Sequence, residues 1–300
     1  LLRITSWGSV LLGTQTIHKL SGLLNKITNH SFPVWNANLV VAKRSSKHQD
    51  FTEELEYIIF PSCVNRILGA NIEGEYLAKI LVEFSNQSNI RVSIPEENDQ
   101  MCCGLVFESK GFEKAERAIS GKTVHMLYNL SNSGKIPIVV DASPCTAHFI
   151  ESGQLGENST SEYWKKLKFI DIIQFLDIII DKSKHQKLER DIILHPTCST
   201  HRMESVDLMK SLAEKCTSGN IILPENSGCC GFAGDRGLRI PELPRNASKQ
   251  EIKELNSVNH EIIGYSSSRT CEIGMMTSSN RIYESILFLV RDYLNSHIVS

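Results

Sequence analysis

From about residue 55 onward, short runs of apolar residues alternate with longer stretches in which apolar positions recur every three or four residues. The runs EYIIF (56–60), IRVSI (90–94) and IPIVVD (136–141) read as buried strands. EGEYLAKILVEFSNQ (73–87) and GFEKAERAISGKTVHMLYNLSNSG (111–134) read as helices, and YWKKLKFIDIIQFLDIIIDK (163–182) as a further, mostly helical stretch. The order then returns. DIILH (191–195), NIILP (220–224) and IIGYS (262–266) read as strands. MESVDLMKSLAEKC (203–216), NASKQEIKELNSVNHE (246–261) and RIYESILFLVRDYLNSH (281–297) read as helices, the last with Ile282, Ile286, Leu287 and Leu289 toward a core. Strands alternating with helices imply parallel pairing through crossover helices. Two halves in the same order imply an internal duplication. The expected fold is α/β: two pseudo-repeated domains (55–185 and 186–300), each a small, mainly parallel sheet flanked by helices.

Residues 1–54 differ, forming a helical extension and linker. The stretches 1–13 and 16–28 read as amphipathic helices with Arg3, Lys19 and Lys26 as their basic residues, followed by a polar, turn-rich segment (29–50). The plain reading packs these helices on the domain that follows. The alternative is a strap to a partner domain or a membrane surface.

Composition narrows the function classes. At 41% apolar and 22% charged, the chain can bury a core and stay soluble. A formal charge of −2 gives no electrostatic case for nucleic acid. No apolar run approaches the ~20 residues of a membrane-spanning helix, and no secretory signal is visible.

Cysteine changes the picture most. There are nine, an odd number, with two adjacent pairs. Without an export signal, metal or redox chemistry fits better than a disulfide framework. Aligned by cysteine, the first half runs Pro61-Ser62-Cys63, Cys102-Cys103-Gly104, Ser143-Pro144-Cys145; the second runs Pro196-Thr197-Cys198, Cys229-Cys230-Gly231, Arg269-Thr270-Cys271. Cys63 and Cys198 lie 135 residues apart, and the other three pairs 126 or 127 apart. Only Cys216 falls outside this register, and it reads as a buried, inert thiol. Each motif follows a strand. In a parallel sheet the carboxyl ends share one edge, where ligands bind, so three distant segments bring four thiols together in each half. Thiols at helix starts are favoured as thiolates, the ligands an iron–sulfur cluster requires. Gly104 and Gly231 permit a tight turn or close backbone approach, and Gly228 adds to that freedom. Zinc is the competing metal, although the close C-x2–4-C pairs typical of zinc sites are absent. One half could hold zinc and the other a cluster. His195 and His201 flank Cys198, Asp235 and Arg236 follow the second pair, and Arg269 precedes Cys271. Cationic groups here would raise a cluster's potential, and the plainer reading is capping or local salt bridges. No hydrolase nucleophile elbow is present.

The doubled Cys…Cys-Cys-Gly…Cys pattern, over about residues 55–275, resembles the cysteine-rich CCG domain of heterodisulfide reductase B-type subunits, glycolate oxidase iron–sulfur subunits and lactate-utilisation proteins. HPTCSTHRM (195–203), GCCGFAGDRG (228–237), SSSRTCEIGM (266–275) and DASPCT (141–146) resemble the C-terminal region of D-lactate dehydrogenases that contain FAD and iron–sulfur centres. The resemblance implies a 4Fe-4S cluster on Cys63, Cys102, Cys103 and Cys145, on Cys198, Cys229, Cys230 and Cys271, or on both sets. It also implies electron transfer from an upstream flavin domain of the same polypeptide toward a quinone or cytochrome, in the cytoplasm or peripherally on the inner face of the membrane. Because the chain begins at Leu1, the flavin domain and a ferredoxin-like segment are expected upstream, so this part alone should not oxidise lactate. Glycolate and 2-hydroxyglutarate are the related substrates. The alternatives are a thiol–disulfide redox module and a zinc-stabilised, non-catalytic one. The sequence departs from the heterodisulfide reductase pattern, because Cys145-Thr146-Ala147-His148 and Cys271-Glu272-Ile273-Gly274 lack its fifth thiolate. A four-thiolate centre is therefore expected, with His148 as a substitute ligand to consider.

Overall fold

The computed structural model describes residues 13–35, 39–43, 55–71, 73–155, 159–182, 184–234 and 236–297. The expected helix over 1–13, Arg3 and Asp235 lie outside them.

The elements begin with α1 (Thr14–Ile27), β1 (Tyr57–Phe60), α2 (Cys63–Ile67), α3 (Leu77–Gln87), β2 (Val92–Ser93), α4 (Leu105–Glu108) and α5 (Glu113–Leu130). The first half closes with β3 (Ile138–Val140), α6 (Ser143–Leu155), α7 (Ser159–Lys166), β4 (Phe169–Asp171) and α8 (Ile172–Ile180). The second half repeats the scheme with β5 (Ile192–Leu194), α9 (Cys198–Arg202), α10 (Val206–Cys216), β6 (Ile221–Ile222), α11 (Arg236–Arg239), α12 (Glu242–Ala247) and α13 (Lys249–Glu254). It ends with β7 (Gly264–Ser266), α14 (Arg269–Ser279), β8 (Tyr283–Ser285) and α15 (Ile286–Leu294).

The two sheets have the same order, β2-β1-β3-β4 and β6-β5-β7-β8, and every pairing is parallel. The central strands IVV and IIL are wholly buried, as a sheet covered on both faces requires. Each half therefore has one strand more than the apolar pattern predicts. The stretches read as helix over 163–182 and 281–297 each open with a strand, β4 and β8, that runs directly into its helix. Asp171 and Ser285 are the junctions. Each sits in extended backbone and accepts the N–H of the second helical residue, Ile173 or Leu287. Without turn residues between strand and helix, the apolar run stays continuous and hides the break. Ile282, expected toward the core, lies before β8 and is 58% exposed. The helix expected over 246–261 is shorter, ending at Glu254 in a 3-10 turn over Leu255–Ser257.

The halves share one core. Ile59, Val139 and the apolar face of α8 pack in the same cluster as Leu194, Met209, Leu212 and the inner face of α15. The contacts are reciprocal: α6 of the first half packs on α9 of the second, and α14 of the second on α2 of the first. The Ser143 N–H donates to the Ser267 carbonyl (3.1 Å), and their hydroxyls meet at 2.7 Å. The described extension divides: residues 39–43 lie along the first half, where the Ala42 N–H donates to the Ile67 carbonyl (3.0 Å) and the Lys43 N–H to the Gly74 carbonyl (2.8 Å), whereas residues 13–35 pack onto the second half. Trp35 is buried with Leu238, Phe232 and Cys230, and the Val34 N–H donates to the Leu238 carbonyl. Leu20, Leu23, Leu24 and Ile27 of α1 remain exposed. Among the described residues no helix is long and apolar enough to cross a membrane.

Candidate metal centres

All six cysteine segments leave the carboxyl ends of strands, so each parallel sheet gathers its four register cysteines at one edge. Local chemistry fixes each arrival. Ser62 and Thr197 cap α2 and α9 by accepting the N–H of Asn65 (3.4 Å) and Thr200 (3.0 Å), which puts Cys63 and Cys198 at the first helical position. Cys145 and Cys271 lie in the first turns of α6 and α14. The Thr123 hydroxyl clamps the first pair to α5, accepting the Cys102 N–H and lying 2.9 Å from the Cys102 carbonyl.

Gly104 and Gly231 behave as expected. Both hold positive φ (98° and 68°), where a side chain is strained. A Cβ on Gly231 would also lie 2.5 Å from Ala247 Cβ and 2.6 Å from the Leu243 carbonyl, and one on Gly104 3.2 Å from Ser120 Cβ. Gly228 has no such constraint; the space around it is open.

In the first half the sulfurs of Cys103 and Cys145 are 2.9 Å apart, and Cys102 contacts both Cys103 and Cys63. Contact with Cys103, then Cys63, drives Cys102 far below its ordinary pKa, helped by the Gly104 N–H and Arg66. The proton is held instead on its neighbours. Contact with Cys102 raises Cys63 and Cys103, and burial adds to both. In the second half Cys230 and Cys271 are 3.0 Å apart and Cys198 contacts Cys229. Here two thiols are lowered: Cys229 to about 6, chiefly by Cys198, and Cys230 to about 5, chiefly by Cys271 and then His195. Cys198 and Cys271 are raised in exchange. All nine cysteines are free thiols. Cys216 is fully buried outside both groups, and burial pushes it up to about 12.

The flanking residues sort clearly. His148 is no substitute ligand. It is buried with both ring nitrogens taken, Nδ1 by Glu108 and Nε2 by Glu116, each at 3.1 Å. His201 is exposed, and Arg269 forms a buried pair with Glu272 at 2.9 Å. Burial holds Glu272 up at about 7 against the pull of Arg269. Arg236 reaches across to the Ser109 carbonyl (2.9 Å), so the segments after the two cysteine pairs meet. Two positioned residues escaped the sequence reading. Arg66, buried in α2, donates to the Met101 carbonyl (2.6 Å) beside the first pair. Glu251, buried in α13, receives His195 Nδ1 at 2.8 Å. The signal that could have marked Glu251 is its spacing, four residues after Ala247 and four before Leu255, which puts a carboxylate on the apolar face of the helical stretch.

His195 itself is fully buried, and one of its ring nitrogens lies within 4.8 Å of the Cys230 and Cys271 sulfurs. Its Nε2 has no hydrogen-bond partner. Burial disfavours the imidazolium, but Cys230 and Glu251 outweigh it and raise His195 to about 9. Four soft sulfur donors per half, two of them buried in each, plus one unpartnered buried nitrogen, match the preferences of iron–sulfur clusters and zinc. The donor set fits such a group.

Comparison with known proteins agrees with this geometry. The chain is similar to lactate utilization protein A 1 of Bacillus mycoides, strain KBAB4, with 24% identity over 213 residues, covering 68% of this chain and 82% of that protein. It is 20% identical over 217 residues to lactate utilization protein A 2 of Bacillus cereus, strain AH820, covering 68% and 83%. The cysteine-rich CCG domain family matches twice, over 57–150 and 192–275, the two segments that carry the thiol groups, and the chain belongs to that family.

Proposed function

We propose that this chain is an iron–sulfur electron-transfer module of lactate utilisation, serving a flavin-dependent oxidation of D-lactate or a related 2-hydroxy acid. The observation that carries the reading is the gathering of four thiols at the carboxyl edge of each duplicated sheet. Similarity to the lactate utilization A proteins supports the substrate class. Oxidation of a 2-hydroxy acid to a 2-oxo acid releases two electrons and two protons. On this reading a flavin partner takes them and a quinone or cytochrome is the final acceptor. A bound iron–sulfur cluster supplies one-electron carrying capacity between them. Cys63, Cys102, Cys103 and Cys145 would hold the first centre, and Cys198, Cys229, Cys230 and Cys271 the second. Arg66 places positive charge beside the first set, which favours a more negative, reduced state.

Anaerobic purification followed by measurement of iron, acid-labile sulfide and zinc per chain tests the proposal. Iron and sulfide in equal amounts, with visible absorption that bleaches on reduction, is the expected result. Zinc alone, or no metal with free thiols, sinks the electron-transfer reading. A second reading, thiol–disulfide chemistry at the second site, is favoured by one observation: Cys198 and Cys229 are exposed, and Cys229 is lowered to about 6. A change in that site's spectrum on adding a disulfide substrate would support it.

A further inference from the structure

Among the positions that differ between the two metal sites, three lie together behind the thiols, and sheet register and residue spacing identify them. Ile58 and Ile193 occupy the same place against β3 and β7, which equates Phe60 with His195. The partners of Ile138 and Gly264 are Phe169 and Tyr283, which equates those two. Gly104 abuts Ser120 of α5 as Gly231 abuts Ala247 of α12, so the spacing equates Val124 with Glu251. The first half thus has Phe60, Val124 and Phe169 in one apolar core, with Phe60 edge-on to Phe149 at 5.2 Å. The second half has His195, Glu251 and Tyr283, with Tyr283 edge-on to His195 at 6.3 Å.

Apolar packing is sufficient at this place in the fold, as the first half demonstrates. Burying a histidine and a carboxylate instead incurs a desolvation penalty that their mutual attraction does not reliably offset. What the pair gains is geometric. Glu251 fixes His195 through Nδ1 at 2.8 and 3.0 Å, leaving Nε2 without a partner in the same buried pocket as Cys230 and Cys271. A carboxylate behind one ring nitrogen, with the other free among thiols, is the arrangement of a metal-bound histidine.

We propose that His195, held by Glu251, is a nitrogen ligand to the metal of the second site, so that the duplicated halves bind chemically different centres: all-thiolate in the first, mixed thiolate and imidazole in the second. The inference rests on the proposal that these sites hold metal. It covers iron of a cluster or a single zinc ion, since both accept sulfur together with imidazole.

The test uses the full chain, loaded anaerobically with iron and sulfide or with zinc, carrying Cys103→Ser and Cys145→Ser to silence the first site. Wild type at the second site, with and without 15N-histidine, is compared with the double variant His195→Phe, Glu251→Val. That variant installs the pair already packed in the first half, and circular dichroism verifies its fold. In the iron arm, pulsed electron paramagnetic resonance of the reduced protein should show a metal-bound nitrogen coupling that changes with the isotope and is lost in the variant. In the zinc arm, X-ray absorption should show one nitrogen at about 2.0–2.1 Å beside sulfur at about 2.3 Å, the nitrogen again lost in the variant. Glu251→Gln should weaken metal affinity about 10–100-fold while retaining the nitrogen. Metal at the second site with an all-sulfur shell and no isotope effect would overturn the inference while leaving the electron-transfer reading intact. Failure of both metals to bind the second site would overturn the inference, and the electron-transfer reading falls with it only if the unsubstituted chain binds no iron and sulfide either. The isotope comparison on the unsubstituted site decides the matter even if the double variant does not fold.

Discussion

The two halves of this chain share strand order, pairing sense and cysteine register, yet their sites are charged differently. The first concentrates its ionisation on Cys102 beside Arg66, with three apolar residues sealing the back. The second lowers both Cys229 and Cys230, exposes Cys198 and Cys229, and backs the group with His195 and Glu251. Duplication kept what the backbone dictates, the convergence of strand ends. It left the side chains behind the thiols free to diverge, because each strand end presents that position to its own separate pocket. A duplicated scaffold can therefore hold two centres of unlike potential or unlike metal.

The largest effects should come from the thiols. Cys103→Ser should remove the first centre and spare the second, and Cys230→Ser the reverse, so that metal per chain falls by about half in each. Loss of both centres from either variant, measured by metal analysis, would break the picture of independent halves. The glycines should be unequal. Gly231→Ala meets backbone atoms of α12 at 2.6 and 2.9 Å, whereas Gly104→Ala meets chiefly the Glu116 side chain at 3.0 Å, which can move. We expect a loss of about 2–5 kcal/mol for Gly231→Ala and about 1–2 kcal/mol for Gly104→Ala by denaturant unfolding. Equal losses would show that the left-handed backbone alone sets the effect.

Asp141 gives a smaller, pH-dependent contrast, since its counterpart in the second half is Ser267. Burial raises Asp141 to about 6 despite the Ser62 N–H it accepts at 2.7 Å. A carboxyl raised on folding contributes stability that is complete below its unfolded pKa of about 3.9 and is lost as pH rises through about 6. Relative to Asp141→Asn, the metal-free wild type should therefore gain on the order of 2 kcal/mol between pH 7.5 and pH 4. A constant difference in urea melts across that range would sink this account. Smallest is Lys215, which joins α10 to α8 through Asp177 (2.7 Å) and the exposed Asp181 (2.8 Å) where the halves meet. Lys215→Met should cost less than about 1 kcal/mol, with the difference shrinking in high salt. A larger loss would mean that this ion pair is not the weak, screened surface contact its exposure implies.

Much of this was legible along the chain. Apolar runs alternating with helical periodicity identified three of the four strands in each half, because fully buried parallel strands leave an unbroken apolar signature. The fourth strand, β4 or β8, escaped both times for one reason: a three-residue strand capped directly into a helix leaves no turn in the sequence. His148 and His195 were equally visible as histidines near cysteines. Their fates were not, because the carboxylates that occupy both nitrogens of His148 and one of His195 come from residues 32 to 56 positions away.

The sequence alone determined the α/β class, the duplication and the eight thiols in register, since these depend on periodicity and spacing, which are properties of order along the chain. Only the tertiary structure decided which buried groups complete each thiol set. Whether Arg66, His195 and Glu251 face a cysteine or the core depends on the relative placement of helices far apart in sequence. The packing of helices and loops on the sheet within each half sets that placement, and no local pattern encodes it.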